Sequence, residues 1–266
     1  MTLPFRLTRY PLAANLWAFG SHPLTTTIPL CQQIGLQGVV IPLPTQLNII
    51  RPLLQQHNLT LFATQAPSHD LTNPATQPDN IAHYQRYIEQ TADLGAPTLL
   101  CRWDSLPLTT TTDWPLARQH LTNALGQLLP HAQKHNVQLA LGPVNRYESP
   151  LLTTAQQATH IIQTLNDPHL GLALNSFHMN IEEQNAPNII RDAGPQLFLY
   201  FAADSNRGAI GQGHIDFGKQ LWGLEASDYT GPIIFEPWPR DAGWPPTSPP
   251  SLTWLQQQLQ EMYQWF

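Results

Sequence analysis

The chain has 266 residues, 42% of them hydrophobic and only 11% charged, with a formal net charge of −6. That length buries a full core, and an even composition without a visible linker fits one domain over residues 1–266. Ten arginines and two lysines form no basic run, which argues against nucleic acid as a partner; apolar stretches such as Val137 to Leu141 are too short to cross a bilayer; and two cysteines, Cys31 and Cys101, with no secretory signal point to a reducing cytoplasm.

Short apolar runs alternate with longer amphipathic segments, the pattern of parallel strands joined by crossover helices. The strands expected in chain order are Ala14 to Ala18, Gly38 to Pro42, Thr60 to Thr64, Thr98 to Trp103, Val137 to Leu141, Gly171 to Leu174, Leu197 to Ala202 and Pro232 to Glu236. Eight strand and helix pairs predict an α/β fold of the (β/α)8 TIM barrel type. Ile81, Tyr84, Ile88 and Ala92 share one helical face, as do Ala117, Leu121, Ala124, Leu125, Leu128 and Ala132. Gly35-Leu-Gln-Gly38 and Gly95-Ala-Pro97 fit left-handed caps where helices end before strands. The irregular segments Ala66 to Asn80, Asp104 to Asp113 and Asp204 to Asp216 follow strands, where barrel enzymes carry their active-site loops. In the tail, Leu255, Leu259, Tyr263 and Phe266 stand at helical spacing. That face fits the eighth helix packing on its own barrel, with a homodimer contact as the other use.

The stretch Leu172-Ala-Leu-Asn-Ser-Phe-His-Met-Asn-Ile-Glu-Glu183 resembles the sixth-strand signature of the xylose-isomerase-like barrels, and more narrowly of the ketose 3-epimerases of the tagatose and psicose epimerase type. Three further stretches agree in order and spacing: Gly142-Pro-Val-Asn-Arg-Tyr-Glu148, Ala203-Asp-Ser-Asn-Arg207 with Gly213-His-Ile-Asp-Phe217, and Ile234-Phe-Glu-Pro237. The resemblance implies a barrel enzyme whose divalent cation is held by a Glu, an Asp, a His and a Glu at the ends of strands five to eight. Here those positions read Gly142, Asn175, Phe201 and Glu236. Hard divalent ions need several oxygen or imidazole ligands, so no metal and no other cofactor is expected. The resemblance also makes the glutamates of strands five and eight the acid and base, and Gly142 removes one of them.

The positions at which relatives hold sugar hydroxyls and the carbonyl are retained as Glu148, His178 and Arg207. These residues lead to an expected metal-independent isomerase or epimerase, or a lyase, moving a proton next to a carbonyl of a small sugar-like substrate. Glu236 is the expected acid or base, poised by burial without a cation, with His178 or Glu148 sharing the proton. Arg207 is expected to bind substrate and to take over the cation's part at the oxyanion. Asn175, Phe201, Gly142, Trp17 and Trp103 complete the expected substrate surface, Phe201 either refilling vacated space or widening the pocket together with Trp238. The alternative is a catalytically inactive homologue that binds a small molecule or supports a partner. Lys134 and Lys219 lie away from strand ends, which leaves no Schiff-base candidate, and no phosphate loop or nucleophile elbow occurs. His57, His131, His135 and His169 are expected on solvated helix faces, and His214 and Asp216 are expected to fix a loop and cap a helix.

Overall fold

The computed structural model describes residues 9–104, 113–238 and 250–265. Eight parallel strands close into a barrel in sequence order: β1 (Leu12–Asn15), β2 (Gly38–Pro42), β3 (Thr60–Gln65), β4 (Thr98–Cys101), β5 (Gln138–Leu141), β6 (Leu170–Asn175), β7 (Leu197–Ala202) and β8 (Ile233–Phe235), which pairs back onto β1. The crossovers carry α1 (Leu24–Ile34), α2 (Leu47–Gln56), α3 (Gln77–Leu94), α4 (Trp114–Lys134), α5 (Ala155–Leu165), α6 (Ser176–Glu182) with α7 (Ala186–Ala193), and α8 (Phe217–Ala226). After β8 comes α9 (Leu252–Tyr263).

Strand side chains alternate between two layers. One phase fills the lumen with Ala13, Val40, Ala63, Leu100, Ala140, Ala173, Leu199, Phe201 and Ile234, all essentially inaccessible to solvent. The other phase, which includes Val39, Leu99, Cys101, Leu139 and Phe235, packs beneath the helices. Small side chains on four strands interlock with larger ones on the others, so the barrel is a packed core with its chemistry confined to the rim.

Two C-terminal strand ends differ from the expectation by more than one residue, and both differences matter for the rim. β1 stops at Asn15 because the Asn15 side chain accepts the Trp17 N–H and starts a 3-10 turn over Leu16–Phe19. β4 stops at Cys101, leaving Arg102 and Trp103 beyond the last ladder residue. Helix α3 begins at Gln77, inside the segment expected to be irregular. Most of the segment 104–113 lies outside the described residues.

The loop after β7 is built around Asp204, which is fully buried and accepts the backbone N–H groups of Ser205, Gly211 and Ile215 at 2.7, 2.8 and 3.1 Å. His214 meets the Ser205 hydroxyl at 2.9 Å, and Asp216 caps α8 by accepting the Lys219 N–H at 3.1 Å. The tail helix turns Leu255, Leu259 and Met262 inward against the barrel, each fully buried, so its apolar stripe is used within the chain. Phe266 lies outside the described residues. Among the described residues no helix is long and apolar enough to cross a membrane.

Both glycines expected as left-handed caps adopt that conformation, Gly35 at φ +97° after α1 and Gly95 at φ +77° after α3. They separate the backbone effect from packing. A side chain at Gly95 meets nothing within 4 Å, whereas a Cβ at Gly35 meets the Tyr263 hydroxyl oxygen at 3.0 Å. Gly95→Ala is expected to cost about 1 kcal/mol of left-handed strain, and Gly35→Ala visibly more, measured by urea unfolding of both variants.

Candidate functional site

Two strand-end asparagines fix the central carboxylate. Asn15 accepts the Trp17 N–H through its Oδ1, which leaves its Nδ2 to donate to Glu236 Oε1 at 2.6 Å and to Gln65 Oε1 at 3.0 Å. Asn175 does the same at β6: its Oδ1 accepts the Phe177 N–H at 2.9 Å and caps α6, and its Nδ2 donates to Glu236 Oε2 at 2.7 Å. A backbone N–H can only donate, so each cap determines which end of the amide faces Glu236.

The third donor to Glu236 is Arg102, whose Nη1 lies 2.7 Å from Oε1. The side chains are 4% and 7% exposed, so this is a buried ion pair. Its surroundings are shaped for it. A Cβ on Gly142 would stand 2.8 Å from Arg102 Cγ, so the arginine stem runs through the space that any larger residue at 142 would need. The guanidinium carbon lies 4.3 Å from the centre of the Phe201 ring, a cation–π contact in a desolvated setting. Phe201 thus lies fully buried beneath Arg102 in the upper lumen. The space beside Gly142 is refilled by Arg102 and not by the ring, and it is Arg102, not the expected Arg207, that pairs with Glu236.

The four rim positions do not fit a divalent cation. Gly142 and Phe201 offer no donor, the Asn175 oxygen is turned toward the α6 backbone, and Glu236 already accepts three hydrogen bonds. A guanidinium on the same carboxylate adds repulsion.

A second cluster stands on the loop after β5 and on α6. Asn145 donates from its Nδ2 to Glu148 Oε1 at 3.1 Å, and its backbone N–H and Nδ2 both reach His178 Nδ1, at 3.2 and 2.9 Å. Arg207 pairs with the same Glu148 oxygen and stacks over Phe177 at 4.3 Å. Arg207 is a non-glycine residue at φ +61°, held there by its own N–H bond to the Asp204 carbonyl and by the Trp238 N–H bonding its carbonyl at 2.6 Å. That costly backbone geometry aims the guanidinium at Glu148.

Burial raises the Glu148 carboxyl above its usual range, outweighing the opposing pull of Arg207. Burial, with Arg207 and Arg102 adding to it, pushes the His178 imidazole well below its usual value. His178 is therefore neutral, and because Nδ1 accepts from a backbone N–H, the ring proton resides on Nε2. The ring thus presents Nε2–H as a hydrogen-bond donor.

Of the remaining expected residues, Trp17 stands half-buried with its ring centre 5.1 Å from that of Trp238, next to the Arg207 loop. Trp103 does not join the site. It is 2% exposed in the layer beneath the helices, with its indole N–H on the His69 carbonyl at 3.2 Å. Strand alternation accounts for this, since Leu100 points into the lumen and Cys101 outward, so Arg102 points in and Trp103 out. The same count from Leu100 was the available signal for Arg102, which sequence reasoning missed together with Asn15, Gln65 and Asn145.

Residues 28–258 match the family described as xylose isomerase-like TIM barrel. The L-ribulose 3-epimerase of Methylomonas sp. (strain DH-1) is 29% identical over 206 residues, covering 73% of this chain and 70% of that one. The ketose 3-epimerase of Arthrobacter globiformis is 36% identical over a shorter stretch, 42% of this chain and 39% of that one. Among solved structures, the D-psicose 3-epimerase of Clostridium cellulolyticum H10 with D-tagatose superimposes with a TM-score of 0.85 at 19% identity, covering 96% of this chain and 97% of that one.

Two measurements check this site. Arg102→Met strands a buried carboxylate and is expected to lower stability by about 3–5 kcal/mol, while adding Glu236→Gln to it recovers most of that loss in denaturant titrations. His178 has a folded-state pKa below the unfolded value, so its contribution is fully present above about pH 6.5 and is lost as pH falls toward the folded value. In that acidic window stability falls by up to about 1.4 kcal/mol per pH unit, and His178→Gln removes this one-proton slope.

Proposed function

The chain belongs to the xylose isomerase-like TIM barrel family, and from that premise we propose that it moves a proton next to the carbonyl of a free ketose or a similar polyol, as a 3-epimerase does, with the Arg102 guanidinium standing where a divalent cation would otherwise act. One observation carries this reading: Arg102 forms a buried ion pair with Glu236 at 2.7 Å, in space left by Gly142 and floored by Phe201.

A carboxylate has about four lone-pair sites. Asn15 and Arg102 take both on Oε1, and Asn175 takes one on Oε2, which leaves a single direction on Oε2 for a substrate proton. When Glu236 takes the proton from the carbon next to the carbonyl, the electron pair left behind moves toward the carbonyl oxygen, which becomes an enediolate. Arg102 is built to meet that charge, since its Nε and Nη2 are buried donors with no hydrogen-bond partner among the described residues. Return of a proton to the opposite face of the carbon gives the epimer. Glu148, raised by burial, supplies it as the acid, and proton exchange with solvent then returns Glu236 and Glu148 to their starting states. His178 and Arg207 orient substrate hydroxyls, with Nε2–H as the imidazole donor, and Trp17 with Trp238 gives the rim an apolar wall. The kinship with sugar 3-epimerases supports the substrate class.

The test is solvent deuterium exchange into D-psicose, D-tagatose and L-ribulose, followed by proton NMR on protein kept in EDTA. Exchange is expected without added metal, reduced at least about 100-fold by Glu236→Gln and about 100- to 1,000-fold by Arg102→Met. Exchange that requires added Mn2+ overturns the role given to Arg102. Binding of these sugars without any exchange favours the non-catalytic binding protein.

A further inference from the structure

A separate donor cluster lies at the other end of the barrel. Glu89 projects from α3 and His131 from the last turn of α4, with His135 capping that helix one turn later. Because α4 passes the chain to the start of β5 at Gln138, this corner is at the bottom face, opposite the rim that holds Glu236. One potential ligand atom from each of the three residues lies within 4.8 Å of the other two.

The pattern differs from that of solvated histidines. His131 Nε2 stands 3.2 Å from Glu89 Oε1 without hydrogen-bond alignment, and the Nε2 atoms of both histidines are buried and without a hydrogen-bond partner among the described residues. The two imidazole rings face each other at 4.7 Å between centres, tilted by 38°. A single proton can bridge one pair of these atoms and leaves the third unsatisfied; a metal ion satisfies all three. The C-terminal carbonyls of α4 also favour positive charge at this place.

We propose that Glu89, His131 and His135 bind a transition-metal cation of the zinc type. Two imidazoles and one carboxylate suit Zn2+ and its neighbours Co2+, Ni2+ and Cu2+, and do not suit Mg2+ or Ca2+, which require oxygen donors. Bonds of about 2.0–2.2 Å require the three ligand atoms to draw in to about 3.4 Å of one another, which takes rotamer adjustments of the half-exposed Glu89 and of both imidazoles. Three protein ligands leave the fourth tetrahedral position to water. Bridging α3 to α4, the ion clamps two neighbouring crossover helices, a structural role independent of the reaction at the rim.

Protein prepared without a histidine tag, stripped with EDTA and dialysed, is titrated with Zn2+ against a chromophoric chelator. One equivalent is expected to bind at micromolar concentration or tighter, raising the melting temperature, while Mg2+ does neither. Co2+ is expected to give the intense visible absorption of a four-coordinate site. His131→Ala with His135→Ala, checked for folding by circular dichroism, is expected to weaken Zn2+ at least tenfold and abolish the thermal shift, and Glu89→Gln to weaken it less. Folded wild type that binds no Zn2+ at 100-fold higher concentration overturns the proposal, as does undiminished binding by the double histidine variant, which would place the ion elsewhere.

Discussion

The rim of this barrel is organised by a buried charge that must be neutralised. Glu236 is almost wholly removed from water, and a carboxylate there is tolerated because Arg102, Asn15 and Asn175 all donate to it. Each donor imposes a condition elsewhere. Arg102 needs residue 142 to lack a side chain and gains a stacking partner in Phe201. The asparagines need their oxygens satisfied by the helical turns that follow β1 and β6. The ion pair, the strand ends and the first helical turns therefore form one unit, and changing any member leaves a buried polar group without its partner.

The same unit links the residues at 142 and 201 to the arginine at 102. A guanidinium is larger than a metal ion, carries one charge and brings its own donors in a fixed fork. It needs space, which Gly142 gives, and a weakly polar floor, which Phe201 gives better than a second cationic imidazole would. Glu236 and Asn175 are then held to each other and to the same arginine-centred unit. A single positive group stands against a single carboxylate.

The neighbouring cluster follows a different logic. Asn145 links Glu148 to His178, and the left-handed backbone at Arg207 presents a second arginine to the same carboxylate. Arg102 and Arg207 both act electrostatically on His178, and Glu236 acts on Arg207, so the two clusters share one field. Burial, with that field added to it, keeps the imidazole neutral. The tautomer, by contrast, is set by a purely local bond from the Asn145 backbone.

The order of eight strands and the left-handed caps at Gly35 and Gly95 were legible in the sequence, because each depends on local periodicity or on one residue's backbone freedom; of the expected tail face Leu255 and Leu259 turn inward, while Tyr263 is exposed and Met262 is buried in its stead. Motif order also set Gly142, Asn175, Phe201 and Glu236 at successive strand ends. Where charges meet was decided by tertiary structure. Arg102 lies 134 residues from Glu236 and Asn15 lies 221 residues from it, so no spacing along the chain links them; closure of the barrel brings β1, β4, β6 and β8 around one point. Trp103 illustrates the same limit, since one step of strand alternation separates a rim residue from a core residue. The sequence by itself determined which groups were available at the strand ends, and only closure of the barrel decided which of them share a hydrogen bond, because desolvated charges pair with whatever the fold sets beside them.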